Sequence, residues 1–478
     1  MNVQSAPSSP RSIIRGYFVG MMFVGIALAI LFARSLVESQ VVFANDGPLG
    51  VLKSAALSMP EVLTGYWMEG SWIGANGGTS PLGLTYLLLW LLGPLGFAKF
   101  YAPLTLLILG GSAWIFFRTL TLSPALCTVG ALAAALNMNY FSNTCWGLGT
   151  RSLALAGVFL ALAALSARHV GHRWLNAALA GLALGWSVIE GADNGAIFSL
   201  YVAAFVVFQA WAQEASWGRR VLSAARLVLV AACAAFIAAQ VLVTLINFGI
   251  TSVAGMQQET QTKKERWGWA TQWSLPKIET LRVVIPGLYG YRMDTANGGQ
   301  YWGGVGQDPR WEPDKPQFLA RYSGAGEYAG VLVVLVAAWA LAEGCRRQGK
   351  TFSLEERRMI WFWAGAAGVS LLLAWGRHAP FYQLIYALPY FSTIRNPIKF
   401  MHPFHLALMV LFAYGLLGLS RLYLQTATAK LPGLAEGFKG WWHRLRGFEK
   451  RWAYSCLALV ALSVVGFLAY GADRPALV

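Results

Sequence analysis

The sequence predicts an all-α membrane protein: a polytopic transmembrane bundle of about eleven spans, with juxtamembrane helices and a lid-like outer loop. Three observations predict it. Of the 478 residues, 56% are hydrophobic and 12% are charged, half the charged share of about 25% usual in soluble chains. Apolar runs long enough to cross a bilayer recur along the whole chain, and mean hydropathy is +0.51. The basic residues fall mostly in short loops between those runs, as orientation signals do. Residues 1–478 therefore read as a single integral membrane domain.

The first run, Ile13–Val37, is longer than the apolar core of a signal peptide and lacks a small-residue cleavage site, so it reads as a retained span. Further spans follow at Tyr101–Phe117, Leu122–Asn137, Leu153–Ala167, Leu175–Ile189, Ala196–Trp211 and Leu227–Phe248. The last four are Tyr328–Ala342, Ile360–Trp375, Phe404–Leu424 and Ala453–Tyr470. With boundary residues added, each can cross ~30 Å at ~1.5 Å per residue.

One apolar segment, Leu82–Phe97, is interrupted by Gly-Pro and Pro-Leu-Gly turns. Charge parity decides its fate. If it does not cross, the basic loops around Arg168 and Arg173, Arg219 and Arg220, Arg346 to Arg358, and 425–452 all share a side with Arg11 and Arg15. That side is the cytoplasm by the positive-inside rule, which places the N-terminus there. If it did cross, every later loop would swap sides. Leu82–Phe97 is therefore read as juxtamembrane or re-entrant. The outer side then receives the first loop 38–100, Met138–Arg151, Glu190–Asn194, the large loop 250–327 and the loop 377–403.

A net charge of +16 and a pI near 9.8 would suit nucleic acid, but the placement of the cations in short loops excludes it as a partner. Five scattered Cys support neither a disulfide framework nor a thiolate metal site. No H-E-x-x-H or G-x-S-x-G string occurs, so zinc hydrolysis and serine esterase chemistry find no support. Gly344 to Thr351 matches the phosphate-loop pattern, but it links two spans rather than a strand and a helix, so ATP binding is set aside.

Three places can carry chemistry. Asp46 lies in Asn45-Asp46-Gly47-Pro48, a few residues after the first span; it is a turn acid or a base, or it holds a divalent cation such as Mg or Mn. Glu190 and Asp193 sit between two tightly spaced spans, where acids either reach water or serve a site. Arg395, Asn396, Lys399 and His402 gather at the outer mouth of the tenth span, against the positive-inside expectation. Pro397 and Pro403 favour a short helical turn there. Arg supplies a planar fork and Lys a point charge, together suited to a lipid-linked phosphate; the alternative is snorkelling to anionic headgroups. Arg151, Arg377 and His378 extend the positive field. The large loop holds Trp267, Trp269, Trp273, Tyr289, Tyr291, Tyr301, Trp302 and Trp311, read chiefly as interfacial anchors.

With Asp46, the Arg395-Asn396-Pro397-x-Lys399-Phe400 segment, Pro81-Leu82-Gly83 and Gly326-Glu327-Tyr328-Ala329-Gly330, the chain resembles the large bacterial YfhO-type membrane proteins. These belong to the GT-C superfamily of polyprenyl-phosphate-sugar-dependent glycosyltransferases. The resemblance covers most of the chain. It implies a GT-C-like bundle in a bacterial cytoplasmic (inner) membrane, with polyprenyl-phosphate-linked sugar and membrane lipids as partners. It also implies that Asp46 acts near the acceptor, while Arg395 and Lys399 hold the carrier phosphate. A lone Asn45-Asp46 stands where a paired Asp-x-Asp is usual, which leaves the metal requirement open. Members of the group are often longer than a chain ending at Val478.

Two other classes compete. A non-catalytic scaffold subunit would reuse the same bundle beside other membrane subunits. A lipid or solute transporter would place ionisable residues near mid-membrane and often show inverted repeats; neither is evident in the sequence.

Overall fold

The computed structural model describes residues 10–65, 67–68, 74–76, 81–167, 172–213, 216–244, 263–291, 301–306, 326–346, 351–388, 395–424, 440–443 and 445–477. Trp311, Arg168 and most of the basic stretch 425–452 lie outside them. Within them the regular secondary structure is helical, apart from a two-residue antiparallel ladder of Trp67–Met68 with Ala75–Asn76 and a single bridge between Gly290 and Tyr301.

The helices of the first part are α1 (Pro10–Leu31), α2 (Leu49–Leu57), α3 (Leu84–Thr119), α4 (Pro124–Ala135), α5 (Met138–Cys145), α6 (Gly149–Ser166), α7 (Arg173–Glu190), α8 (Ala192–Gln213), α9 (Trp217–Ile237) and α10 (Ala239–Thr244). After them come α11 (Lys263–Ala270), α12 (Val331–Cys345), α13 (Leu354–Ala374), α14 (Phe381–Tyr386), α15 (Met401–Leu419) and α16 (Gly447–Leu477). Ten of the eleven expected spans fall largely on one of these helices each; Leu227–Phe248 is divided between α9 and α10, and its last four residues lie outside the described ones. Among the described residues seven helices are long and apolar enough to cross a membrane, or eight if the bent pair α4–α5 is one span. The other three segments, α7, α12 and α13, are helical but shorter or more polar.

Two boundaries differ from expectation. Leu82–Phe97 and Tyr101–Phe117 are parts of one helix, α3, broken at Gly93, whose φ of 65° and ψ of 174° are non-helical. The part before the break, from Leu84 to Leu92, reaches only ~14 Å at ~1.5 Å per residue, less than half a bilayer core. The second difference is at α9. It begins at Trp217, ten residues before the expected Leu227, so Arg219, Arg220 and Arg226 belong to the helix itself. Arg is a good helix former whose long stem follows apolar surface, so charge does not mark the helix end.

Packing arranges these helices in two groups. α3 and α7 lie on either side of α6, and α9 packs on α7. Gly181 and Gly185, one turn apart, let that last pair approach closely: a Cβ would sit 2.6 Å from the Val230 carbonyl oxygen at Gly181 and 2.8 Å from that of Ala234 at Gly185. In the second group α12 and α13 flank α15. The groups meet where α15 touches α4, α5 and α8. One end of the bundle therefore collects the starts of α6, α8, α12 and α15. The site lies there.

Candidate functional site

The short helix α5 explains much of the site. Its sequence, Met138-Asn139-Tyr140-Phe141-Ser142-Asn143-Thr144-Cys145, is mostly polar, yet Asn139, Tyr140, Ser142, Asn143 and Thr144 are all buried. Buried polar groups need partners, and here they find one another. The Asn139 amide donates to Glu327 Oε2 at 2.8 Å, and its oxygen accepts from His402 Nδ1 at 2.6 Å. His405 Nε2 lies 3.2 Å from the same Glu327 oxygen, with Asn137 Nδ2 at 3.0 Å from His405 Nδ1. This chain of bonds assigns the tautomers: His402 carries its proton on Nδ1 and His405 on Nε2. The Tyr140 hydroxyl donates to the His402 carbonyl at 2.9 Å. His402 Nε2 is left as a buried lone pair without a hydrogen-bond partner.

Above this network stands a charged cluster. Arg151, in the first turn of α6, donates to Asn143 Oδ1 at 2.6 Å. Asp46, Asp193 and Glu327 all lie close enough to act on its charge. Lys399 is 8% exposed, and its ammonium is paired with the half-exposed carboxylate of Asp193. An ammonium this enclosed needs such a partner, because desolvating it alone costs several kcal/mol. Asp46 is exposed and its loop is docked: its N–H donates to the Trp146 carbonyl at 3.0 Å. Polar atoms of Asn45 and Asn194, the neighbours of Asp46 and Asp193, are buried without hydrogen-bond partners, like His402 Nε2.

Arg395 and Asn396 are positioned by the large loop. The Arg395 guanidinium stacks on Trp269, 4.1 Å from the ring centroid, a cation–π contact. Asn396 adopts φ 65°, a left-handed conformation that Asn tolerates better than most residues. Its N–H donates to Ala270 O at 2.8 Å, and that of Ile398 to Trp273 O at 2.9 Å. The 3-10 turn Pro397–Phe400 then runs into α15, which carries Lys399 to Asp193. Arg377 has a different task. Its side chain donates to the carbonyls of Thr271 and Gly268 at 2.9 and 3.1 Å, fastening the end of α13 to the large loop. His378 is held below its usual value by burial, then by Arg377 and Lys277, so at neutral pH it adds no charge.

Within the large loop, Glu279 organises a buried knot. It accepts from Arg282 at 3.1 Å, from the Tyr301 hydroxyl at 2.6 Å and from Gly304 N–H at 2.7 Å. The described part of the loop is thus packed structure around satisfied charges.

Glu190 turns to α3. Its carboxylate accepts from the Leu84 N–H, from Thr85 N–H and hydroxyl at 3.4 and 2.7 Å, and from Trp186 Nε1 at 3.1 Å. A carboxylate at a helix N-terminus meets both orphan N–H groups and the positive end of the dipole. Gly83 makes the approach possible, since a Cβ there would lie 2.9 Å from Glu190 Oε1. Of the three acids expected to serve the site, Asp46 and Asp193 act on Arg151, while Glu190 anchors the start of α3.

The sequence reading missed Asn137, Asn139, Tyr140, Asn143, Glu327 and His405 as site residues. Their signal was present in the density of amides between two apolar runs, and in a His one turn inside a span. As for a divalent cation, among the described residues no three His, Cys, Asp or Glu side chains are grouped to hold one. Asp193 is also neutralised by Lys399. No family model, curated protein or solved structure matches the chain.

Proposed function

We propose that this chain is a GT-C-like membrane glycosyltransferase that moves a sugar from a polyprenyl-phosphate carrier to an acceptor at the outer face of a bacterial cytoplasmic membrane. One observation carries the reading: two cations, Arg151 and Lys399, and two acids, Asp46 and Asp193, meet at one end of the bundle, among buried polar atoms that lack partners. An acceptor hydroxyl attacks C1 of the sugar, and the bond from C1 to the carrier phosphate oxygen breaks. Asp46 takes the hydroxyl proton. Lys399 and Arg151 receive the departing phosphate, with Arg395 held nearby on Trp269. Asp193 is the resting counter-ion of Lys399, released when phosphate replaces it.

The test is transfer in membrane vesicles, using a panel of polyprenyl-phosphate-linked hexoses carrying a radiolabel. Asp46→Asn and Lys399→Met are each expected to lower transfer about 100-fold or more at normal expression. Unchanged turnover in both variants overturns the assignment.

A scaffold subunit is the second reading. The observation favouring it is α16, which among the described residues meets the rest of the protein chiefly through α12 and is almost wholly exposed along its spanning window. Co-purification of a stoichiometric membrane partner with no transfer by the complex would decide for it.

A further inference from the structure

The end of the bundle opposite the proposed transfer site carries a surface cavity of 460 Å³, where the ends of α8 and α12 meet the start of α13. Its base is aromatic: Phe208 of α8 stacks on Phe362 of α13, with ring centroids 4.7 Å apart. Leu354 and Trp361 of α13 also line it and stay 65% and 53% exposed, an apolar patch of the kind that a lipid or a partner covers. Among the described residues its charged lining is Arg357 and Arg358, with no carboxylate. Arg357 has partners of its own. Arg358 is exposed, and its Nη1 donates to the Ala212 carbonyl at 2.8 Å. That bond fixes the guanidinium against the end of α8, and a guanidinium has five N–H donors. Neighbouring Glu355 lines a different cavity.

The helical period orders these groups. Leu354, Arg358, Trp361, Gly365 and Gly368 are all exposed and follow one another at steps of three or four, so they share one face of α13. A Cβ at Gly365 or Gly368 would meet nothing within 4 Å, which leaves that face open beyond Trp361. Depth is marked independently. Trp174, Trp211 and Trp217 are exposed at the start of α7, the end of α8 and the start of α9, as Trp is at a membrane–water boundary. Arg358 stands two positions before the expected span Ile360–Trp375, and so at the same boundary. A cation at the boundary, an aromatic shelf one turn on and an open apolar face beyond it match a molecule with an anionic head and a hydrocarbon tail. We propose that this cavity binds an anionic phospholipid, with its phosphate on Arg358 and one acyl chain passing over Trp361 along Gly365 and Gly368. A zwitterionic head is disfavoured, because its ammonium would meet arginines and no carboxylate there.

The experiment equilibrates the full-length protein in detergent with equal amounts of phosphatidylglycerol and phosphatidylcholine bearing the same acyl chains. Native mass spectrometry then reads which lipid stays bound. Wild type is expected to retain phosphatidylglycerol over phosphatidylcholine by about fivefold or more, and Arg358→Gln to lower that preference about fivefold. Gly365→Leu fills the open face with the charge intact and is expected to lower retention of phosphatidylglycerol; it carries the test if the first variant does not fold. Arg219→Gln removes an exposed arginine of the same end that lies outside the cavity, and is expected to change nothing. The proposal is overturned if wild type holds the two lipids equally, if either cavity variant behaves as wild type, or if Arg219→Gln loses as much preference as Arg358→Gln.

Discussion

Two late helices, α15 and α16, are both long and apolar enough to cross a membrane, yet they live in opposite surroundings. Across Pro397–Leu424, 72% of the spanning window is buried in the protein; across Gly447–Ala469 the share is 0%, although α16 is the more apolar of the two. The difference lies in the residues that interrupt the apolar pattern. In α15, His402 and His405 are bonded to α5 and Glu327. At Gly415 a Cβ would collide with the Val336 carbonyl of α12, and at Gly418 one would meet Trp339. In α16, a Cβ at Gly466 or Gly471 would meet nothing within 4 Å. Overall apolarity reports that a helix can enter a membrane. Small and polar residues within it report whether it faces protein or lipid.

Substitution can break this contrast. The largest effect is expected from Gly415→Leu, which forces α12 and α15 apart and costs more than about 3 kcal/mol. The monodisperse fraction in detergent should fall by most of its value. Gly466→Leu in α16 should leave that fraction unchanged, within about 0.5 kcal/mol. Equal behaviour of the two would show that the burial contrast is not what holds α15.

A smaller effect sharpens the polar half of the comparison. Glu327→Ala strips His405 and Asn139 of their shared acceptor in a buried place, at a cost of about 3 kcal/mol. Replacing Glu327 and His405 together by Leu should recover part of that loss, because no charged group then remains to be satisfied. Thermal unfolding of both variants checks it, and additive losses would argue against a shared network.

The smallest effect concerns the far end of α15, where a π-helical turn at Ser420–Leu424 brings Arg421 to Glu356. Burial alone pushes the Glu356 carboxyl up, but the Arg421 fork and the Ser353 backbone N–H outweigh it and hold the group below its usual 4.5. A depressed carboxyl contributes stability that is fully present above its unfolded value and is lost as pH falls through the folded value. Wild type should therefore lose stability from about pH 4.5 downward relative to Arg421→Gln, by under about 1 kcal/mol because the pair is partly exposed. Parallel Tm curves for the two proteins over that range would remove the contribution.

The spans were legible because lipid demands uninterrupted apolar sequence, and the kink at Gly93 was foreshadowed by Gly-Pro within an apolar run. Arg395 and Lys399 stood out because they contradicted the charge bias of the other loops. What sequence could not give was the pairing. Lys399 and Asp193 are 206 positions apart, and Asn139 and Glu327 are 188. No local spacing rule spans such distances. The helix α5 was hidden for a related reason: it is buried by other helices, so its polar residues looked like a loop until their partners were in place. Glu190 could be placed between two spans but not given its partners, because an acid beside a candidate site and an acid at the start of another helix read alike in one dimension.

The turn joining α7 to α8 carries two carboxylates three positions apart, one fastened to the start of α3 and the other to Lys399. Because a ribosome delivers the chain from its N-terminus, these two clasps close at different times. Glu190 finds Leu84 and Thr85 already made when α7 emerges. Asp193 must wait until α15 has been synthesised and inserted. The first loop's position is therefore settled early in biogenesis, whereas the cation that completes the site arrives among the last helices.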